Sequence, residues 1–248
     1  MRFCGSFTYL SESLYPFTLP VIPTVDFQMI RRVDVMIRNS DIAYEKLRMM
    51  IMTAELRPGQ TLVESELMQQ LQVGRTPIRE ALNRLSWEGF VKIVPRQCML
   101  VNDIPLSEVE AIYQMRLALS QLESELAVKR RTDKELGRLA ADIRALEQEV
   151  EPRKRVLLDR DFHRTVTFMT RNPFLEREMV NYQDLSTRLL FVNQKNLSAI
   201  DNMTVDEHIL IYQALKDRDM DTLIQTQRSH IISFRSKFTL DSDMDIDQ

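Results

Sequence analysis

Residues 73 to 77, Val-Gly-Arg-Thr-Pro, constrain the fold of this chain more than any other stretch. Glycine lets a backbone turn sharply, and proline, with φ fixed and no N–H to donate, is at home in a helix only in its first turn. A helix before this stretch must end near Gly74 and another must begin near Pro77. Thr76 is then the N-cap and Pro77 the first helical residue. Glu64 to Leu71 supplies the preceding helix, and the following one runs until Gly89. An earlier helix starts from Ser40 in SDIAYEKLRMMIMTAEL and is closed by Arg57-Pro58-Gly59. FVKIV and CMLVN, parted by Pro95-Arg96-Gln97, read as the two strands of a hairpin. Helix, helix, turn, helix and hairpin make a winged helix-turn-helix over residues 40 to 103, with Leu71, Ile78, Leu82 and Leu85 as its buried face and Trp87 near the end of the last helix.

After Asn102 the strand signals vanish. The chain has only 5 glycines and a steady supply of Leu, Met, Ala, Glu, Arg and Gln, which favours helix. Ser107-x-x-Glu110, Thr132-x-x-Glu135 and Thr204-x-x-Glu207 each fit a capping box, in which two side chains satisfy each other's free backbone donors. With further helical patterns at 153 to 170, 174 to 196 and 220 to 238, residues 104 to 240 are predicted to form an all-helical domain of about six helices. The fold class is therefore mainly α, a winged helix-turn-helix followed by a helical bundle. Residues 1 to 39 show no sustained period and read as an N-terminal extension; residues 241 to 248 read as an acidic tail.

No apolar run approaches the roughly 18 residues of a membrane span, and no secretory cleavage pattern follows the apolar N-terminal stretch. Cys4 and Cys98 build no disulfide framework. These features lead to the expectation of a cytoplasmic protein without a membrane partner. The formal charge is −3, yet between residues 74 and 97 Arg75, Arg79, Arg84, Lys92 and Arg96 face only Glu80 and Glu88. Binding to a polyanion depends on the field within about 8 Å at physiological salt, so the acidic total does not exclude it.

In a helix-turn-helix the second helix enters the DNA major groove N-terminus first, and base contacts fall in its first turn. Arg75 and Arg79 lie there. An arginine fork can donate twice to guanine O6 and N7, and Thr76 can donate to a phosphate beside free helix amides. Arg96, at the hairpin tip, is placed for an adjacent groove or the backbone. The competing reading is a solvated face, with Arg79 tied to Glu80, Glu64 or Glu66; within a complete helix-turn-helix and wing it is the weaker of the two. Arg84 and Lys92 fit surface or phosphate roles rather than base reading.

All three histidines lie in the helical segment. Asp159 and His163 are four apart and share a helix face, while His208 and His230 belong to other helices. A bundle can gather one carboxylate and three imidazoles into a metal site, and such a set suits Zn, Ni, Mn or Fe. Spacing alone favours a local Asp159–His163 pair and two unrelated histidines. A metal with open positions also raises an enzyme as the rival reading, with Glu207 as the acid or base; adjacent helical residues diverge by about 100°, so Glu207 and His208 are not expected to share a site.

The stretch LVESELMQQLQVGRTPIREALNRLSWEGFVKIVP resembles the DNA-binding domain of GntR-family bacterial transcription regulators. That resemblance implies Ser65, Arg75, Thr76 and Arg79 for the major groove and a wing around Arg96, where the family usually carries a glycine. The helical segment is similar to the FCD type of effector domain, whose pattern is D-x-x-x-H, then EH before a helix, then H in the last helix. Asp159, His163, His208 and His230 match it, and the resemblance implies a divalent metal that helps hold a small carboxylate effector. Arg116, which matches an arginine of the domain's first helix, and Arg188, in the middle of a later helix, are the candidates to pair with that carboxylate, with a surface or interhelical salt bridge as the alternative for each; Ser120 stands where the resemblance leads one to expect a glutamate. The function so implied is a homodimeric, sequence-specific repressor of transcription that reads a short palindromic operator under effector control, with no catalytic residues.

Overall fold

The computed structural model describes residues 38–192 and 205–239. Residues 1 to 37, 193 to 204 and 240 to 248 lie outside it, and with them the extension, the acidic tail, Thr204 and the end of the helix predicted to reach residue 196.

The reading head is built from α1 (Asn39–Met52), α2 (Glu64–Leu71), α3 (Arg75–Trp87), β1 (Val91–Val94) and β2 (Cys98–Val101). Ala43, Leu47 and Ile51 recur at helical spacing on α1 and meet Ile78, Leu82 and Leu85 of α3, all essentially without solvent exposure. Gln72 closes α2 in the left-handed region at φ 56°. The next helix begins sooner than the sequence suggests: Gly74 is its N-cap, and Arg75, Thr76 and Pro77 form its first turn. Pro77 is tolerated there because the first-turn amides have no intrahelical acceptor, so its missing N–H costs nothing. The hairpin pairs Val91 with Val101 and Val94 with Cys98. At its tip Arg96 adopts φ 63°, the left-handed conformation in which glycine is usual. Leu71, Ile78, Leu82 and Leu85 are buried as predicted, whereas Trp87 is 91% exposed.

Six helices follow among the described residues: α4 (Leu106–Arg130), α5 (Asp133–Gln148), α6 (Pro152–Met169), α7 (Pro173–Val192), α8 (Asp206–Asp217) and α9 (Met220–Thr239). Of the three predicted capping boxes, Thr132 and Glu135 form theirs in full. The helix near Ser107 instead begins at Leu106 with Pro105 as N-cap, and α8 begins at Asp206 with Val205 as N-cap. Pro173 opens α7 behind Asn172, whose side chain accepts from the amides of Phe174 and Leu175 at 3.2 and 3.4 Å. α4 packs against α6, α7 and α9, and α5 against α6 and α8. One core gathers Leu139, Phe162, Val166 and Ile211; another gathers Tyr113, Val156, Leu190 and Ile231. The core of the reading head runs on into the bundle through Ile112 of α4 and Leu185 of α7.

Candidate DNA-reading face and metal centre

Ser65 on α2, Arg75, Thr76 and Arg79 on α3 and Arg96 at the wing tip are all exposed. Arg79 donates from Nε to Glu64 at 2.7 Å, and Arg75 lies 3.6 Å from the same carboxylate. Of the acidic partners weighed for Arg79, Glu64 is the one it engages. The pair is on the surface, with the Arg79 side chain 57% exposed, and an exposed ion pair holds such side chains weakly. Arg84 faces away from this group: its guanidinium stacks 3.6 Å from the centroid of the Tyr44 ring and pairs with Glu88.

Inside the bundle, α6 presents Asp159 and His163, α8 presents His208 from its first turn, and α9 presents His230. One donor atom from each of the four lies within 4.8 Å of every other. His208 Nε2 is 2.8 Å from Asp159 Oδ1, and His163 Nε2 is 3.7 Å from the same oxygen. The imidazole centroids of His163 and His230 are 4.6 Å apart, and the Phe162 ring stands edge-on to His208 at 4.8 Å. Ligand atoms held 2.0–2.2 Å from one ion sit roughly 3 to 4 Å apart, so small side-chain movements would complete such a geometry.

The electrostatics suit the same ligand set. Burial pushes the His163 imidazolium to deprotonate well below its ordinary range. Burial raises Asp159, but His163, His208 and His230 around it outweigh that and hold its carboxyl well below the usual carboxylate range. Neutral imidazole and ionised carboxylate are the ligating forms. His163 Nε2 is buried and makes no hydrogen bond, an arrangement that a bound cation would satisfy. The residues therefore fit a divalent ion.

Glu207 departs from expectation. Its carboxylate accepts from His230 Nδ1 at 2.6 Å. His230 arrives from another helix and meets Glu207, so the residue beside His208 touches the cluster without being one of its four members. A carboxylate on one ring nitrogen fixes the tautomer and leaves Nε2 as the ligating atom. Glu207 thus positions a donor from outside the cluster.

A cavity of about 20 Å³ adjoins the cluster, bordered by Arg116, Gln183, Ser186, Thr187 and Phe234. That is room for about one water. Arg116 is 7% exposed, its Nε has no hydrogen-bond partner, and burial lowers its guanidinium below the ordinary range. Arg188 does not line this cavity. It is fully buried and donates to the backbone carbonyl of Asn102, where the wing passes into the bundle. A long guanidinium on α7 finds that carbonyl because the chain leaves the hairpin alongside the helix. The polar run Gln183, Asp184, Ser186, Thr187 and Arg188 is almost wholly buried; only Arg188 stands out in the sequence as a candidate, although so many polar residues inside a helical period are themselves a signal.

Comparison with known proteins agrees with both halves. Residues 39–101 match bacterial regulatory proteins of the gntR family, and residues 111–233 match the FCD domain. The chain is 30% identical over 186 residues, 73% of its length and 86% of the relative's, to the Nta operon transcriptional regulator of Aminobacter aminovorans. It is 27% identical over 215 residues, 78% of this chain and 83% of the relative, to the HTH-type transcriptional repressor NanR of Klebsiella aerogenes. Among solved structures, E. coli McbR/YncC has a TM-score of 0.68 at 19% identity, over 82% of this chain and 100% of that one, a likeness of fold. The relatives are regulators rather than enzymes, and no described helix is long and apolar enough to cross a membrane. The chain belongs to the GntR family of bacterial regulatory proteins and is a DNA-binding transcription regulator in which a winged helix-turn-helix is joined to an FCD domain.

Proposed function

We propose that this regulator is a homodimeric repressor that reads a short palindromic operator and is controlled by a small carboxylate held at a divalent metal in the FCD domain. The observation that carries the reading is the convergence of Asp159, His163, His208 and His230, buried on three helices with donors within 4.8 Å of one another. Those four residues hold the ion, which is Zn, Ni, Mn or Fe and supplies a Lewis-acidic position for a carboxylate. Arg116, buried at the edge of the adjoining cavity, pairs with that carboxylate as a bidentate donor. The cavity holds about a water's volume, so the effector is small or binds as α7 and α9 draw apart.

Arg75 and Arg79 read bases, Ser65 and Thr76 anchor the helix to the major groove, and Arg96 reaches from the wing. Two copies related by a two-fold axis read the two halves of a palindrome. The repressor sense is favoured by the name of the NanR relative. The effector acts to the extent that it binds one arrangement of the reading heads better than another.

Selection of genomic DNA fragments by purified protein tests the reading, with Arg79→Ala as control and bound metal quantified on the same sample. Enrichment of a palindrome by the unsubstituted protein alone, with one ion per chain, is the expected result. Enrichment that Arg79→Ala retains would overturn the base-reading assignment, and protein that holds no ion after loading would overturn the metal centre.

A further inference from the structure

One carboxylate in this protein carries three guanidinium groups. Asp184, on α7, has no solvent exposure. Arg160 of α6 donates to it from Nε at 2.7 Å, Arg164 of α6 donates at 2.8 Å, and Arg48 of α1 is paired with it at 2.7 Å. Burial alone would raise the Asp184 carboxyl, but the three arginines hold it below the usual carboxylate range. A buried charge can be kept only when partners of this kind surround it, so the four side chains stand or move as a group.

The group joins two parts of the protein that do different things. Arg160 is the residue next to Asp159 and lies one turn from His163, so the helix that carries two proposed ligands also carries two arms of the Asp184 cluster. Arg48 belongs to the reading head. It also pairs with Glu88 at 3.2 Å, donates to the Tyr44 hydroxyl and approaches the Val180 carbonyl and the Asn181 side chain of α7. Glu88 is the C-cap of α3, the helix that bears Arg75 and Arg79, and Asn181 donates to the Glu88 backbone carbonyl at 3.2 Å. Nearby the head and the bundle part around a cleft of about 850 Å³ bordered by Trp87 on one side and Phe168 and Pro173 on the other. Arg48 is a charged side chain that spans from one to the other beside that opening.

We propose that Arg48 is a positioning residue for DNA reading: through Asp184 it couples the orientation of α3 to α6, so that a change at the metal centre reaches the reading head along Arg160, Asp184, Arg48 and Glu88. The proposal rests on the metal-centre reading above. A movement of α6 by a fraction of an ångström shifts two of the three guanidinium groups on a carboxylate that has no solvent exposure. Arg48 must then either follow Asp184 or leave it, and in both cases the contact with Glu88 at the end of α3 changes. The planar guanidinium lets one arginine face Asp184 with Nε, as an ion pair, while Nη1 donates to Glu88, which the point charge of a lysine could not do in the same geometry.

Amide hydrogen exchange on the full chain, stripped of metal and then loaded with Zn²⁺, tests this, with metal content measured on the same samples. In the unsubstituted protein Zn²⁺ should slow exchange in α6 and also in α1 and the C-terminal half of α3, the latter by at least about fivefold, the low end of ordinary coupling between sites. Arg48→Met should slow in α6 as before while α1 and α3 no longer respond. A merely structural role would raise basal exchange in Arg48→Met and leave the response to Zn²⁺ in place, and that result overturns the proposal. So does an unsubstituted protein that binds Zn²⁺ and slows in α6 but not in α1 or α3, a comparison that needs no variant to fold. Asp184→Asn, which keeps the shape and removes the charge, should uncouple the two parts as Arg48→Met does. Absence of bound Zn²⁺ would instead remove the metal-centre reading, and the coupling with it.

Discussion

Loading the proposed centre should stabilise the fold, and the size of the effect follows from where its residues lie. Asp159 and His163 are on α6, His208 on α8 and His230 on α9, so an ion held by all four ties three helices that the unfolded chain leaves far apart. An ion that binds only the folded form stabilises it by about 4 kcal/mol when its free concentration is a thousandfold above Kd. For a folded part of roughly 200 residues each kcal/mol is worth about 2 to 4 °C in Tm. Zn²⁺ should therefore raise Tm by about 8 to 16 °C over metal-free protein in a calorimetric or dye-based melt. His163→Ala removes a buried ligand whose Nε2 has no other partner and opens a small void, so its metal-free Tm will itself be lower. The informative quantity is the difference between loaded and stripped protein within each variant. That difference should shrink to about 2 °C or less in His163→Ala, and so should the metal content. Equal shifts in the two proteins would refute the four-residue site, and no shift in either, with metal bound, would refute the argument that the ion ties helices together.

Arg79→Ala should weaken binding to the selected operator by roughly 10- to 100-fold, the loss of one bidentate base contact, with an unchanged far-UV circular dichroism spectrum because the side chain is exposed; unchanged affinity, measured by fluorescence anisotropy, would exclude it as a base reader. Arg96→Gly should relieve about 1 kcal/mol of left-handed backbone strain at φ 63° while reducing DNA affinity; a fall in stability on urea titration would show that the turn does not strain the arginine. Burial pushes the Glu123 carboxyl up to about 7 from 4.5, against the Thr167 hydroxyl that donates to it. The folded state then binds this proton more tightly than the unfolded state, so the stabilising effect of the protonated form is present below pH 4.5 and is lost as pH rises through 7. Glu123→Gln should gain on the unsubstituted protein between pH 5 and pH 8 by on the order of 3 kcal/mol; a pH-independent gap between the two urea midpoints would refute it.

What could be read from the sequence was what depends on neighbours in the chain. The two faces of the helix-turn-helix were legible because Ile78, Leu82 and Leu85 recur at helical spacing. Thr132 with Glu135 was legible because a capping box closes within four residues. The sequence puts the start of α3 two residues late because Gly74 and Thr76 both make good N-caps, and only the path of the preceding turn, with Gln72 in the left-handed region, selects between them. At the proposed metal centre, spacing puts Asp159 and His163 on one face and can go no further. His208 and His230 are 45 and 67 positions beyond His163, and only the family resemblance placed them beside it.

The Asp184 cluster was illegible for a deeper reason. Arg48 and Asp184 are 136 positions apart; the polar run from 183 to 188 marks α7 as unusual, but nothing local shows that Arg48 is buried or that it is the partner of Asp184. Their burial follows from how α1 lies against α7, and that in turn follows from Ile112 and Leu185 joining the core of the reading head. A chain can keep the two cores of its bundle, the capping box of α5 and its four proposed ligands and still place the reading head differently if those few side chains change. The features that define the family are therefore local and recoverable from sequence, whereas the contact that would turn metal occupancy into DNA affinity depends on the packing of the two domains. Relatives at 25 to 30% identity can thus share the same two domains while differing in how one is connected to the other.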